Sequence, residues 1–397
     1  MVNMTTTIDS TLLQKTPKWY MDWKFWLLFL VINMSGNLAF GMLFNDKIIV
    51  IGLFILTTLY ILKKRVYSPK AAIFLIIFAI ITLCSGIYES DKFAFSSTFH
   101  IIMKVAIGIN TIIILKTYFI PYYVGTITAF AFISLICFSL NAIGYIIPYI
   151  PVVETSMDEG YVFRVSSVFY TQLFNPFAGE LTLRNCGPFW EPGAFQGFLN
   201  LALAILILAY QNRNKWFYII TGTLIVAIIT TYSTGGYIAL FANIALLLIL
   251  ERRLDPVFKV LIFVICLFVA YHIYFTTDFL HEKVDSDTGR LGFSSNDFGN
   301  GMHFLFGYGY SSASFTESTL KTASGLIGLI KYSGICGFIL YIITLFGIKP
   351  NPKRYIWGLI ICLILMNEPF LTAGSFWWSV PFIWQYMAEI NPKLITR

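Results

Sequence analysis

The chain has 397 residues, 57% of them hydrophobic and only 12% charged, with a mean hydropathy of +0.75 and a formal net charge of +7. Soluble domains carry roughly 25% charged residues, so a soluble globular enzyme is excluded. Outer-membrane barrels read as segments of about ten alternating residues; the continuous apolar blocks at 71–84 and 201–208 instead predict an all-α polytopic membrane protein.

The first 22 residues are polar and hold no short apolar core ahead of a small-residue cleavage site, so the first span is expected to direct insertion. Apolar windows about as long as a helical span then predict spans near 25–44, 48–62, 71–88, 94–115, 122–147, 192–210, 216–232, 235–250, 258–275, 322–347, 355–371 and 373–387. That makes about 12 transmembrane helices in a single membrane domain, 1–397. Cytoplasmic connections carry the excess of Lys and Arg. With the N-terminus inside, 18 of the 27 basic residues fall on inner segments, among them Lys63, Lys64, Arg65, Arg213, Lys215, Lys353 and Arg354. Both termini are therefore expected to be cytoplasmic, and the basic excess is topological rather than a sign of an anionic or nucleic-acid partner. Five of the six cysteines lie in apolar runs and only Cys186 in a loop, so no disulfide framework is expected.

Two connections are long, 148–191 and 276–321, and both are expected on the outer face. Loops beyond about 15 residues without evident secondary structure are usually functional or disordered, and the aromatics in these two argue for order. They carry Arg164, Arg184 and Arg290. A guanidinium is a permanently charged planar fork that matches phosphate oxygens; pairing with Glu180, Asp285 or Asp287 is the structural alternative. The densest segment runs from Arg184 through Gly187, Phe189, Trp190, Glu191 and Pro192 to Gly193, directly ahead of an unbroken apolar helix. Pro192 suits the first helical turn. Glu191 is then either a favourable charge at a helix N-terminus, worth about 0.3–1 kcal/mol, or a general base at the membrane surface.

The second loop contains Gly307-Tyr308-Gly309, expected to mark a tight turn where backbone approaches a ligand or another helix. His281 and His303 show no metal-ligand spacing, so no metal is expected. Inside the spans, His100 and Lys104 share one helix face, Lys331 lies in the tenth span, and Glu368 follows Asn367 near the outer end of the eleventh. Snorkelling or a Lys331–Glu368 ion pair is one reading of these charges; a polar cavity or a transport pathway is the other.

Together these features resemble the O-antigen polymerase and ligase superfamily of integral-membrane sugar transferases. The resemblance rests on the dozen spans, the two outer loops, the Arg-x-x-Gly-x-Phe-x-Glu-Pro-Gly string at 184–193, and Arg290 followed by the Gly307/Gly309 turn and a small-residue helix at 324–337. Ser233-Thr234-Gly235-Gly236 stands where members carry a comparable turn. The resemblance implies a polysaccharide polymerase with periplasmic loops in a bacterial inner membrane, using undecaprenyl-diphosphate-linked oligosaccharides without cofactor, metal or nucleotide sugar. It implies Glu191, Arg184 and Arg290 as catalytic residues and Arg164, Trp190, His303 and Tyr308 as substrate-binding residues. A flippase and a chain-length regulator are the protein partners it suggests. The histidine that ligases carry before the small-residue helix is replaced by Ala323-Ser324. A ligase, and a flippase or transporter without catalysis, are the competing expectations.

Overall fold

The computed structural model describes residues 21–66, 68–88, 95–144, 153–156, 162–167, 169–175, 180–181, 184–211, 213–250, 255–261, 264, 301–310 and 324–394. Arg290, Asp285, Asp287, His281 and most of the span expected at 258–275 lie outside the described residues.

The described chain is predominantly helical. Its elements are α1 (Trp23–Asn33), α2 (Leu38–Leu43), α3 (Asp46–Lys64), α4 (Pro69–Tyr88), α5 (Phe95–Leu115), α6 (Phe119–Ala142), β1 (Val153–Ser156), β2 (Val162–Ser167), β3 (Tyr170–Asn175), β4 (Glu180–Leu181), α7 (Pro192–Ala209), α8 (Lys215–Thr230), α9 (Thr234–Leu250), α10 (Met302–Phe306), α11 (Gly325–Phe346), α12 (Pro352–Met366), α13 (Phe370–Ala373) and α14 (Val380–Ile390). Among the described residues, four helical stretches are long and apolar enough to cross a membrane: α4, α7, α11 and the 48-residue run Phe95–Ala142. At 1.5 Å per residue that run would reach about 72 Å, more than twice the ~30 Å hydrocarbon layer. It is in fact two helices, because Lys116 takes φ 52 and a 3-10 turn, Lys116–Tyr118, joins α5 to α6.

The core is built around α7. Every residue of this helix from Pro192 to Ala209 is buried, as expected of a helix apolar on all sides, and α6, α8, α9, α12 and α14 pack around it. Its polar residues face one another: Asn200 Nδ2 donates to Gln196 Oε1 at 3.0 Å and to Gly236 O at 3.1 Å, and Asn243 Nδ2 of α9 donates to Asn200 Oδ1 at 3.1 Å. Side-chain amides of this kind bind helices together where apolar burial distinguishes little between protein and lipid.

The structure departs from the expected pattern at three places. The first span, expected unbroken over 25–44, is divided at Met34–Asn37. There Asn33 Nδ2 and Ser35 Oγ donate back to Phe29 O and Val31 O, each at 2.7 Å, and so compete with the helix ladder. The last two spans are interrupted as well: α12 ends at Met366 ahead of Pro369, and α13 is separated from α14 by Gly374 and a 3-10 turn, Phe376–Ser379. The first long loop, expected to be ordered but without strands in an all-α chain, contains a four-stranded antiparallel meander in the order β1-β2-β3-β4. Its strands, such as Val162–Ser167 and Tyr170–Asn175, are β-branched and aromatic but very short.

Candidate functional site

The irregular segments meet. Asn37 bridges to Phe189 as an isolated antiparallel pair, with Leu38 N donating to Pro188 O at 3.3 Å. Ser35 Oγ accepts from Phe376 N at 2.9 Å. Phe198 of α7 fills the space between, stacked on Phe189 with ring centroids 4.2 Å apart and packed on Phe376 and Trp377 at 5.4 and 5.0 Å. Backbone from 34–37, 184–191 and 367–376 therefore converges at one end of α7. Non-helical backbone at membrane depth is tolerated where protein buries it or where it lines a cavity.

Arg184 sits at this end, ahead of α7. Its Nε donates to Thr231 O at 3.1 Å and its Nη2 to Tyr232 O at 3.0 Å, so the guanidinium is fixed across the turn between α8 and α9. The neighbouring Asn185 locks the backbone: its N–H donates to Thr230 O at 3.0 Å, while its Nδ2 reaches Ser134 Oγ and Thr230 Oγ1. Burial lowers the pKa of Arg184 from its ordinary value, and Cys186, Glu191 and Glu368 oppose that shift. A guanidinium remains charged under such conditions. The anchor on carbonyls is a contact the loop-carboxylate alternative did not include.

Glu191 is the N-cap residue of α7, with Pro192 in the first turn as expected, but its side chain makes no capping bond. Its Oε1 instead accepts from Trp190 Nε1 at 2.9 Å. The Trp190 ring lies against Gly36, where an added Cβ would come within 2.3 Å of Cζ3. Arg184, Trp190 and Glu191 are thus brought together.

A second carboxylate joins them. Glu368, only 6% exposed, lies against Gly193, where a Cβ would stand 1.7 Å from Glu368 Oε1. Asn367 lies in the same way against Gly235, and the Gln196 side chain against Gly236. The turn at 233–236 and the glycine of the 184–193 string therefore serve one purpose, which is to let α7, α9 and the end of α12 approach around polar side chains. Sequence reading kept Glu368 as an in-span charge and missed Asn367 and Gln196 as site residues. The signal available was the glycine pattern, whose partners only the packing of α12 reveals.

His303 and Tyr308 form a neighbouring cluster. The His303 ring stacks on Tyr308 at 4.5 Å and meets Tyr88 edge-on at 4.9 Å. Gly307 and Gly309 are the expected close turn, and what they approach is a helix. α11 breaks at Gly334 (φ 62, ψ −173), and a break costs the preceding carbonyls their helical donors. Tyr308 N and Gly309 N donate to Lys331 O and Tyr332 O at 2.8 and 3.1 Å. α11 links this cluster to the first, since Gly325 at its start packs against Glu368 O and Lys331 follows six residues later, about 9 Å along the helix. Arg164 lies on β2 opposite Glu154 and Gln172, and Arg290 lies outside the described residues.

Of the charges inside the spans, His100 Nε2 and Lys104 Nζ both reach Asp46 Oδ2, at 3.0 and 3.2 Å. They are satisfied by Asp46 at the start of α3. No protein-family model, no curated protein and no solved structure matches the chain.

Proposed function

We propose that the chain is a polysaccharide polymerase of the O-antigen polymerase type: an integral-membrane glycosyltransferase with about twelve spans, both termini cytoplasmic and two periplasmic loops, in a bacterial inner membrane. It acts on undecaprenyl-diphosphate-linked oligosaccharides, with a flippase delivering the repeats and a chain-length regulator limiting the product. The bond from the donor's anomeric carbon to the diphosphate oxygen breaks. A sugar hydroxyl of the second lipid-linked repeat bonds to that carbon, and its proton passes to a carboxylate. Arg184, with Arg290 and Arg164, stabilises the departing diphosphate, whose charge grows in the transition state. Glu191 is the expected base, and Glu368 is the alternative carboxylate beside it. Trp190, His303 and Tyr308 offer ring faces to the sugars.

The observation that carries this reading is the fixed Arg184 guanidinium with Glu191 and Glu368 around it, where three irregular segments meet. A second reading, a flippase without catalysis, draws support from the helix breaks at Met34–Asn37, Gly334 and Asn367–Pro369, because transporters bind substrate at discontinuous helices. The surface-glycan ladder separates the two. Deleting a polymerase leaves single repeats attached to the final acceptor, whereas deleting a flippase or a ligase removes attached glycan altogether. In the deletion strain, Arg184→Ala and Arg290→Ala are expected to give single repeats at normal membrane abundance. Full ladders from both variants overturn the site.

A further inference from the structure

At the opposite end of α7 lies a cavity of about 270 Å³, formed where the C-terminal ends of α7, α9 and α14 meet the N-terminal end of α12. Arg213, Lys353 and Lys393 line it. The walls are held in place. Asn391 Nδ2 donates to Leu208 O at 2.7 Å, Gln211 Nε2 donates to Asn391 Oδ1, and Asn351 Nδ2 ties Leu394 O at 2.8 Å. Lys353 Nζ donates to Lys393 O, which keeps one ammonium beside the other residue's backbone. The Arg213 guanidinium stands over the Phe217 ring at 5.4 Å.

Basic residues that only orient a membrane protein need nothing but water around them. Here they line a concavity pinned by side-chain amides, and the N-terminal end of α12 adds the positive end of a helix dipole. The volume lies just below that of pockets for drug-sized ligands, the scale of a small polar head. Basic pockets between helices on the cytoplasmic side suit phosphate-bearing lipid head groups.

We infer that this cavity binds the phosphate-bearing head group of an anionic phospholipid of the leaflet facing it, at a site separate from the one around Arg184. The purified full-length protein in detergent is titrated with a short-chain phosphatidylglycerol, a short-chain phosphatidylcholine and inorganic phosphate, and binding is read from the shift in thermal unfolding. Phosphatidylglycerol is expected to bind at least tenfold more tightly than either alternative. Arg213→Gln and Lys393→Gln, each melting normally without lipid, are expected to weaken it at least fivefold. A Lys63→Gln/Lys64→Gln/Arg65→Gln variant, altered at the end of α3, is expected to bind as the wild type does. Equal loss in that variant makes the binding a general surface-charge effect and overturns the site. Equal affinity for inorganic phosphate overturns the lipid assignment, and equal affinity for phosphatidylcholine overturns both.

Discussion

Gly193 and Asp46 show how much a single position decides. At Gly193 the absent side chain is what admits Glu368 to the N-terminus of α7. Gly193→Ala puts a methyl group where Glu368 Oε1 now lies, and the buried carboxylate must move. The expected result is at least a tenfold loss of elongation with membrane abundance nearly unchanged, read from glycan ladders and immunoblots of the same cells; unchanged ladders remove Glu368 from the site. Asp46 precedes the predicted span 48–62. Burial alone raises its pKa, but the bonds to His100 and Lys104 outweigh that and hold it below the ordinary carboxylate value. A depressed folded-state pKa contributes stability above the unfolded value of about 4, and this is lost as pH falls through the folded value. Asp46→Asn is therefore expected to lower Tm in detergent at pH 7, with the gap from wild type closing below about pH 4. A gap that stays constant down to pH 3 excludes this ion pair as its source.

Among the elements, α11 depends most on a break. Gly334 has φ 62 and ψ −173, a region open essentially to glycine alone, and a Cβ there would stand 2.2 Å from Leu305 O. Gly334→Ala is expected to cost on the order of 1–3 kcal/mol from backbone conformation alone, and more because Leu305 must retreat. Detergent melts measure it, and a variant melting like the wild type excludes the break as a fixed feature. The sequence pattern announced a close turn at Gly307 and Gly309 but not its partner, since helical periodicity continues through Ser333-Gly334-Ile335. The break at Met34–Asn37 was hidden in the same way. Asn33, Ser35 and Gly36 are too few to interrupt an apolar window of about twenty residues, yet enough to bond back and end a helix. The sheet at 153–181 escaped notice because strands of two to six residues carry little periodic signal.

At the scale of the whole molecule, hydropathy read the helices well because they must satisfy their own backbone in lipid. Their ends fall close to the apolar windows for α4, α5, α7, α8 and α9. The string at 184–193 likewise marked Arg184, Trp190 and Glu191 before any contact was known. Glu368 and Asn367 were not legible as partners, because they lie about 180 residues further along the chain and only packing joins them. The proposed twelve-span arrangement makes its own prediction in a cysteine-free background. A membrane-impermeant maleimide is expected to label Lys47→Cys and Lys92→Cys in intact cells, and Lys64→Cys and Lys349→Cys only after permeabilisation. Labelling of Lys64→Cys from outside overturns the orientation.

The complete burial of α7 bears on the order of biosynthesis. α7 leaves the ribosome well before α12 and α14, yet both belong to the sheath that covers it. Until they arrive, α7 has lipid on the side they will occupy, and its Asn200 bonds only to Gln196 one turn away and to α9. The segment that follows α12 also brings Glu368 and Phe376, the last components of the convergence point. Closure of the helix sheath and completion of the site are thus a single late event, and a nascent chain released before Pro352 is inserted but carries neither.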